Sequence, residues 1–379
     1  MPSYRTLCTK DTGFYADTVE WCPIEGFTDV LVCGTYQLVE SKDPTESAHS
    51  SRRVGNVQFY RLEKSEKNLE KLFTTSEGAG ILDMKWYPKE LNNRAVLAAV
   101  SAEKELKLFT LFHRQEDGTF VLKEQTSLCV GPEKICLSLD WSSSINNELQ
   151  CVVSDSKGQI TLVQCCKTSL EPRKLMQWIG HDYEAWITAF NKWTPNIVYS
   201  GGDDCRFKGW DTRTDCTQPI FNSKRHEMGV SSIQCNPVHE NILATGSYDE
   251  NILLWDTRQM KKPLCSSNPG GGVWRIKWHP HSGNRILTAT MYDGYHVLNY
   301  SHDKDSHGLE VLISYKENYE LAYGADWYTG NSSKIQKTEA EINSDEKIEN
   351  ESTDSRNTSS LVATCSFYDH ILHLWEVNL

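Results

Sequence analysis

The sequence contains no apolar run long enough to cross a bilayer as a helix. Residues 95–100 form one of its longest apolar stretches, whereas a transmembrane helix needs about 20 residues. Excess positive charge is also absent, because 39 Lys and Arg residues are outnumbered by 51 Asp and Glu residues, giving a net charge of −12. Binding to nucleic acid or to an anionic membrane requires clustered cations. Residues 1–10 lack the apolar core of a signal peptide. We therefore expect a cytoplasmic globular protein that binds neither nucleic acid nor membrane.

Paired cysteine motifs are missing as well. The 13 cysteines are an odd number, no C-x-x-C pair occurs, and only Cys165 and Cys166 are adjacent. This spacing argues against a disulfide framework and against a zinc site, and reduced thiols fit the cytosol. The sequence also has no G-x-S-x-G nucleophile elbow, Walker loop, H-E-x-x-H helix or dinucleotide-binding fingerprint. Motifs alone favour a binding scaffold without a metal or other cofactor.

What the sequence does contain is a repeated strand pattern. Seven short segments alternate apolar and polar residues, and several end in Trp before a Pro turn; their sixth residues are Trp21, Trp86, Trp141, Asn191, Cys235, Trp278 and Trp327. A second set of strand-like segments trails the first, at residues 56–60, 105–109, 159–163, 206–210, 251–255, 295–299 and 371–375. Repeats of about this length with period-2 strands are typical of β-propellers with four strands in each blade. We predict an all-β, seven-bladed propeller that occupies residues 1–379 as a single unit.

The two ends of the sequence are predicted to meet in one blade. The last repeat has only three evident strands, at residues 322–327, 361–366 and 370–376. Residues 4–9 form a strand-like segment that no other blade uses. An N-terminal strand that joins the C-terminal blade would close the ring and leave only short, protected edges.

Two insertions interrupt the repeat. Residues 37–53 are predicted to be a loop insert in blade one. Residues 331–360 form an acidic insert in blade seven, rich in Glu, Asp, Ser, Asn and Thr and without an aromatic residue. Such a composition buries too little apolar area to fold by itself. We expect this second insert to be a disordered, solvated loop.

Blades four, five and seven share a fixed spacing between a turn aspartate and a tryptophan. Asp204, Asp249 and Asp369 each precede a Trp by six residues. With the sequences GH, GGDD and GWD of blade four, this pattern resembles the WD40 family. The resemblance implies two hydrogen-bonded tetrads: His181, Ser200, Asp204 and Trp210, and His226, Thr245, Asp249 and Trp255. Blades one, two, three and six depart from the pattern, since the Trp position holds Tyr60, Phe109, Val163 and Asn299.

Five longer segments narrow the resemblance. They are GHDYEAWITAFN (180–191), KRHEMGVSSI (224–233), GSYDE (246–250), GGGVWRIKWHP (270–280) and SFYDH (366–370). Together they are similar to the diphthine methyltransferase family, WD-repeat proteins of diphthamide biosynthesis whose activity is that of a diphthine methyl esterase. The resemblance implies a carboxylic ester hydrolase that needs no cofactor, and we expect a monomer. The implied substrate is translation elongation factor 2, whose modified histidine carries a diphthine methyl ester with a trimethylammonium group. The implied products are diphthine and methanol.

Ester hydrolysis needs a nucleophile or an activated water, donors for the oxyanion and a proton for the leaving group. In the family's geometry, the loops before the first strand and between the second and third strands of each blade lie on one face. On that face the candidates for catalysis are His181, Glu184, His226 and Arg225. The candidates for substrate binding include aromatic side chains, which attract a quaternary cation; they are Tyr183, Trp186, Asp203, Glu227, Tyr248, Trp274, Arg275, Tyr292 and Tyr368.

Each candidate also has a purely structural interpretation. We favour a tetrad role for His181 and His226 over a role as general base, although a carboxylate-oriented histidine can serve both. Glu184 and Glu227 could be solvated loop carboxylates, Arg275 could form a salt bridge, and the tyrosines could pack the turns. The alternative function is a non-catalytic WD40 adaptor that presents a protein partner. Methyl transfer from S-adenosylmethionine is disfavoured, because no Gly-rich nucleotide loop follows a strand and precedes a helix.

Overall fold

The computed structural model describes residues 2–40, 51–131, 135–143, 149–303, 306–317, 320–330 and 359–379. Within these ranges the chain consists of β-strands joined by turns, with no α-helix. None of the described segments is therefore a helix that could span a membrane.

The strands are numbered in chain order. The first twelve are β1 (Ser3–Asp11), β2 (Ala16–Trp21), β3 (Val30–Thr35), β4 (Gln37–Glu40), β5 (Ser51–Gly55), β6 (Val57–Glu63), β7 (Asn68–Thr74), β8 (Gly78–Ala79), β9 (Ile81–Trp86), β10 (Ala95–Ser101), β11 (Glu105–His113) and β12 (Phe120–Cys129). The next twelve are β13 (Cys136–Trp141), β14 (Leu149–Asp155), β15 (Gln159–Cys165), β16 (Pro172–Ile179), β17 (Ile187–Phe190), β18 (Ile197–Gly201), β19 (Phe207–Asp211), β20 (Phe221–Ser223), β21 (Val230–Cys235), β22 (Ile242–Ser247), β23 (Ile252–Asp256) and β24 (Cys265–Ser267). The last seven are β25 (Val273–Trp278), β26 (Arg285–Thr290), β27 (Gly294–Asp303), β28 (Ser306–Tyr315), β29 (Ala322–Trp327), β30 (Ser359–Ser366) and β31 (Ile371–Asn378).

Seven four-stranded antiparallel sheets form the blades of a propeller, as the repeat predicted. Blade 1 contains β2, β3, β6 and β7, and blades 2 to 6 contain the consecutive sets β9–β12, β13–β16, β17–β20, β21–β24 and β25–β28. Blade 7 contains β29, β30, β31 and β1. The first strands of the blades (β2, β9, β13, β17, β21, β25 and β29) contact one another in a closed cycle. They are the inner strands, and they line the central channel.

The apolar core lies between neighbouring blades. The second strand of a blade is covered on both faces, so β10 reads AVLAAVS and is buried along its whole length. The outer strand β12 alternates exposed and half-buried residues. At the contact between blades 2 and 3, Val96 and Val100 of β10 belong to the same buried cluster as Leu139 and Val153.

Tryptophans at the end of the inner strands tie adjacent blades together. The indole nitrogen of Trp141 donates to the carbonyl of Lys85 at 3.0 Å, and that of Trp327 donates to the carbonyl of Lys277 at 2.9 Å. Trp86 and Trp278 make equivalent bonds at 3.3 and 3.2 Å. In blades 2, 3, 6 and 7, the Trp that closes the repeated segment therefore forms an inter-blade hydrogen bond and is also a core residue.

The N-terminal strand closes the ring, as predicted. β1 pairs antiparallel with β31, with Ser3 opposite Asn378 and Asp11 opposite Ile371. Its Tyr4 ring packs edge-on against Tyr315 and Trp375, at centroid distances of 5.2 and 6.4 Å. The N-terminal segment thus completes blade 7 as the outer strand.

The first insert is more ordered than the prediction of a loop over residues 37–53. β4 and β5 pair from Gln37–Val54 to Glu40–Ser51, and β5 also pairs with β8. The ends of the insert therefore pair in a small three-stranded sheet; residues 41–50 lie outside the described ranges. Of the predicted acidic insert, residues 331–358 lie outside the described ranges, and residues 359 and 360 already belong to β30, where they pair with β31.

Candidate active site

Six of the seven inner strands have a β-bulge at their second position. The pairing register shifts between residues 16 and 18, 81 and 83, 136 and 138, 230 and 232, 273 and 275, and 322 and 324. A bulged residue is left out of the ladder, and its side chain is re-aimed. The bulged residues are Asp17, Leu82, Leu137, Ser231, Trp274 and Tyr323. In blade 4 the corresponding place is held by Trp186, which directly precedes β17 and packs against Trp274. These seven residues, termed the bulge ring, surround the channel at the end where each inner strand begins.

A continuous row of aromatic side chains covers one side of the bulge ring. Trp274 packs against Trp186 and Tyr323, at centroid distances of 5.8 and 4.7 Å. Tyr248 lies 6.3 Å from Trp186 and 6.0 Å from Trp274. The small side chain of Ser231 between blades 4 and 6 leaves room for this contact. The row continues from Tyr323 to Phe367, Tyr368 and Tyr15.

A carboxylate is fixed beside this aromatic row. The indole nitrogen of Trp186 donates to Oδ1 of Asp203 at 3.1 Å. Asp203 lies in the turn between β18 and β19 and is exposed. The structure thus brings together four of the predicted binding residues, namely Trp186, Asp203, Tyr248 and Trp274.

A second carboxyl group, Asp17, lies in the bulge ring itself and is only 3% exposed. Its Oδ1 has no hydrogen-bond partner among the described residues. Burial raises the pKa of Asp17 well above its ordinary value; Arg275 opposes this shift and Asp83 adds to it. The charge of Asp17 also contributes to raised pKa values of Tyr248 and Tyr323. A buried carboxyl with a raised pKa beside a channel mouth is suited to proton transfer.

Arg275, a predicted substrate-binding residue, is buried inside the channel. Its guanidinium lies 3.4 Å from Oδ1 of Asp83 across the channel, and its side chain is buried. The two charges neutralise each other, and the pKa of Asp83 lies below its ordinary value because Lys85 and Arg275 outweigh the effect of burial. The structure therefore favours the salt-bridge interpretation of Arg275.

The other end of the channel is a charged cavity of about 530 Å³. Glu20 binds Lys85 and Lys277 there, each at 2.5 Å, and Asp326 lies 3.3 Å from Lys277. Asp140 accepts a hydrogen bond from the backbone of Phe190 at 2.7 Å, and burial raises its pKa to about 6. These ion pairs connect the inner strands of blades 1, 2, 6 and 7, and the Asp140 hydrogen bond connects those of blades 3 and 4.

Both predicted tetrads are present with complete hydrogen bonding. His181 contacts Asp204 at 2.7 Å through Nδ1 and Ser200 at 2.8 Å through Nε2, and Trp210 donates to Ser200 at 2.9 Å. The second tetrad repeats this arrangement, with His226, Asp249, Thr245 and Trp255. Both ring nitrogens of each buried histidine are engaged within the blade. The geometry therefore favours the structural role over a role as general base.

Of the remaining predicted residues, Tyr368 belongs to the aromatic row, and the others lie in loops outside it. Arg225 donates to the carbonyl of Lys261, in the connection between β23 and β24. Tyr183, Tyr292 and Tyr368 are 63%, 71% and 49% exposed. The side chains of Glu184 and Glu227 lie in the loops before β17 and β21 and are half-buried and exposed, respectively. In the described part of the chain, no group of three His, Cys, Asp or Glu residues is arranged to hold a metal ion.

Asp17, Tyr323, Phe367 and Tyr15 were not among the residues predicted from the sequence. Asp17 and Tyr323 occupy the second place in their segments, as Trp274 does, whereas Trp186 is the first residue of the blade-four segment, 186–191. The second place carries only a partial signal, because Leu82 and Leu137 are apolar there. The alignment on the sixth residue followed the structural tryptophans.

The WD domain, G-beta repeat, model matches residues 217–256. A chain in a solved structure, described as the crystal structure of mitotic checkpoint complex, superposes with a TM-score of 0.64 at 15% identity. The match covers 98% of this chain and 94% of that one and concerns the fold alone. Together with the seven sheets and the tetrads, these similarities define a WD40 β-propeller protein.

Curated relatives identify the family within this class. The chain is 36% identical to diphthine methyltransferase of Homo sapiens, covering 98% of both chains. It is 35% identical to diphthine methyltransferase of Mus musculus, covering 98% of this chain and 94% of the relative. The Dictyostelium discoideum homologue is 33% identical, with 97% and 98% covered. The chain belongs to the diphthine methyltransferase family of diphthamide biosynthesis, as its segments predicted.

Proposed function

We propose that this protein hydrolyses the methyl ester of diphthine methyl ester on translation elongation factor 2. The products are diphthine and methanol, and the protein acts in the cytoplasm as a monomer without a cofactor. The observation that carries the proposal is the aromatic row with its flanking carboxylates at one channel mouth, in a member of the diphthine methyltransferase family.

The mouth suits the charge of the substrate. The modified histidine carries a quaternary trimethylammonium group, which cannot donate a hydrogen bond. Aromatic faces attract such a cation by about 0.5–2 kcal/mol each. Trp186, Tyr248 and Trp274 present adjoining rings beside the exposed carboxylate of Asp203. This combination of aromatic faces with a fixed negative charge supports recognition of the trimethylammonium group.

The mouth also suits the size of the substrate. Elongation factor 2 is a folded protein, so only its modified side chain can enter a channel lined by inner strands. The loops before the inner strands and between the second and third strands surround the bulge ring and are available to contact the surface around that side chain. The ester would then lie at the bulge ring while the remainder of the substrate stays outside.

The test is mass spectrometry of the modified histidine peptide before and after incubation of methylated elongation factor 2 with the purified protein. Loss of one methyl group, with release of an equal amount of methanol and no added nucleotide or metal, is the expected result. The proposal fails if the substrate binds but keeps its methyl group. That outcome would support the adaptor alternative, in which another protein carries the chemistry.

A further inference from the structure

We propose that Asp17 is the general base that activates the hydrolytic water, and that the indole N–H of Trp274 binds the oxyanion formed at the ester carbonyl. This inference rests on the proposed ester hydrolysis and assigns its chemistry to two members of the bulge ring.

Asp17 is buried and has a carboxylate oxygen that is free, among the described residues, to bind a water molecule. The residue is only 3% exposed, and within the described chain its Oδ1 has no hydrogen-bonding partner. Buried polar atoms are nearly always paired, so an unpaired one requires an explanation. The nearby cation Arg275 is held by Asp83 at 3.4 Å. A water molecule bound to Asp17 would satisfy Oδ1 and would be in place to attack.

The bulge places Asp17 in the same ring as the aromatic row. The register of β2 against β3 skips from Ala16 to Thr18, which leaves Asp17 unpaired in the ladder. The neighbouring blade contributes Tyr323 at the equivalent bulge. The strands β2 and β29, which carry Asp17 and Tyr323, contact each other in the closed cycle of inner strands. Asp17 therefore adjoins the end of the row at blade 7.

Trp274 has an unused hydrogen-bond donor in this ring. Its ring packs on Tyr323 with centroids 4.7 Å apart, and its Nε1 is buried with no acceptor in the described part of the chain. The inner-strand tryptophans at the other end of the channel include four that donate to backbone carbonyls, and Trp186 donates to Asp203. Trp21 and Trp178 likewise have indole nitrogens with no acceptor among the described residues, but neither belongs to the bulge ring. Asp17 and Trp274 thus lie on either side of Tyr323 in the bulge ring. Asp17 offers a hydrogen-bond acceptor and Trp274 offers a hydrogen-bond donor.

The reaction balances with water as the only co-substrate. Asp17 removes a proton from water as the water oxygen bonds to the ester carbonyl carbon, and the carbonyl oxygen becomes an oxyanion that accepts the N–H of Trp274. The tetrahedral intermediate then collapses, the bond to the methoxy oxygen breaks, and the protonated Asp17 returns the proton to form methanol. The product carboxylic acid loses its own proton to solvent, leaving diphthine and an ionised Asp17.

The first experiment compares Asp17→Asn with the wild-type protein, using methylated elongation factor 2 and measuring methanol release together with substrate affinity. Asn has nearly the same shape but cannot accept the proton, so kcat is expected to fall by about 10²–10⁴-fold. Affinity is expected to stay within about threefold of wild type. The matched control is Asp140→Asn, which removes another buried channel carboxyl at the far cavity and leaves the rate unchanged.

The second experiment compares Trp274→Phe with Trp178→Phe. Both changes remove a buried, unpaired indole N–H, but only Trp274 lies in the bulge ring. Loss of an oxyanion donor is expected to lower kcat by about 10²–10³-fold, while Phe retains an aromatic face for the trimethylammonium group. Trp178→Phe, in β16, is expected to leave kcat unchanged.

The outcomes separate the two levels of the proposal. If the wild-type protein binds the substrate and releases no methanol, the ester-hydrolysis function itself is wrong. If the wild-type protein is active and folded Asp17→Asn is equally active, the assignment of the base is wrong. A loss of affinity in Asp17→Asn without loss of kcat would instead make Asp17 a counter-charge for the trimethylammonium group and would overturn its catalytic role.

Discussion

The indole nitrogen of Trp186 donates a hydrogen bond to Oδ1 of Asp203 at 3.1 Å. This bond joins the start of the inner strand of blade 4 to the turn between β18 and β19. It fixes the direction of the carboxylate without neutralising its charge, while the Trp186 ring packs against Tyr248 and Trp274. A cation that approaches the mouth therefore meets aromatic faces and a negative charge held in one place.

Removing a single aromatic side chain from this site should weaken substrate binding. We expect Tyr248→Ala and Tyr368→Ala each to lower affinity for methylated elongation factor 2 by about 2- to 30-fold, the equivalent of one cation–π contact. The measurement is binding of a substrate peptide and of an analogue in which a neutral tert-butyl group replaces the trimethylammonium group. The neutral analogue should bind the variants and the wild type alike. Unchanged affinity of both variants for the charged substrate would refute the aromatic site.

The rate of hydrolysis should depend on the protonation of Asp17. Its pKa is raised by burial, and only the ionised form accepts a proton, so kcat/KM is expected to rise with pH and to fall below the pKa of Asp17. The charged or titratable groups around it are Arg275, Asp83, Tyr248, Tyr323 and Cys365. The check is a pH–rate profile of wild type and of the residual activity of Asp17→Asn, which should lack this acidic limb.

The raised pKa of Asp17 also predicts that the folded state becomes less stable as the pH rises. Because the folded pKa of Asp17 lies above its unfolded value, the folded state binds the extra proton between the two pKa values. Stability attributable to this group is fully present below the unfolded pKa and is lost as pH rises through the folded pKa. Asp17→Asn is therefore expected to be more stable than wild type near pH 8, measured by urea unfolding. A less stable variant would indicate that Asp17 serves the fold.

The tetrad histidines should affect stability and leave catalysis intact. His226→Gln disrupts the contacts with Asp249 at 2.9 Å and Thr245 at 2.8 Å, and we expect a loss of about 1–3 kcal/mol in the free energy of unfolding. The kcat of the folded fraction should stay within about twofold of wild type, because a general base contributes far more, about 10²–10⁴-fold. A folded variant with a loss of that size would make His226 the base.

Deleting residues 2–11 should destabilise blade 7 selectively. The deletion removes the ladder between β1 and β31 and uncovers Tyr315 and Trp375. We expect faster amide hydrogen exchange in β30 and β31 than in blades 3 to 5 and a lower urea midpoint. Arg5→Ala is the control, since it removes only a partly exposed ion pair with Glu376, and such pairs contribute about 0–1 kcal/mol. Unchanged exchange in β31 would contradict the role of β1.

The fold was predictable because an apolar residue at the Trp position is sufficient for a blade to form, even where the family motif is missing. Blades 1, 2 and 3 lack the Trp of the tetrad, yet Tyr60, Phe109 and Val163 are buried at the corresponding place in the third strand. Only blade 6 has a polar residue there, Asn299, which bonds to Arg285. Strand periodicity therefore identified every blade, and the WD spacing identified the family.

The site was only partly predictable. Loop position correctly brought Trp186, Asp203, Tyr248 and Trp274 to one mouth, because the loops of a propeller alternate between two faces. Asp17 was missed since its neighbours in sequence give no indication of a bulge, and a single Asp after Ala in a strand has many ordinary interpretations. The pairing of Arg275 with Asp83 joins residues that are far apart in the chain, and no local pattern predicts it.

The pairing of β1 with β31 also has a consequence during synthesis. β1 ends at Asp11 and its partner begins at Ile371, so β1 cannot pair until the roughly 360 residues between them have been synthesised. At roughly 5–20 residues per second, translation of the intervening residues takes on the order of 20–70 seconds. Blades 1 to 6 can form in order as the chain emerges, whereas the ring cannot close before β31 has been synthesised. Until then β1 has no strand to pair with and exposes its backbone groups, and this is the period when a chaperone would protect the chain best.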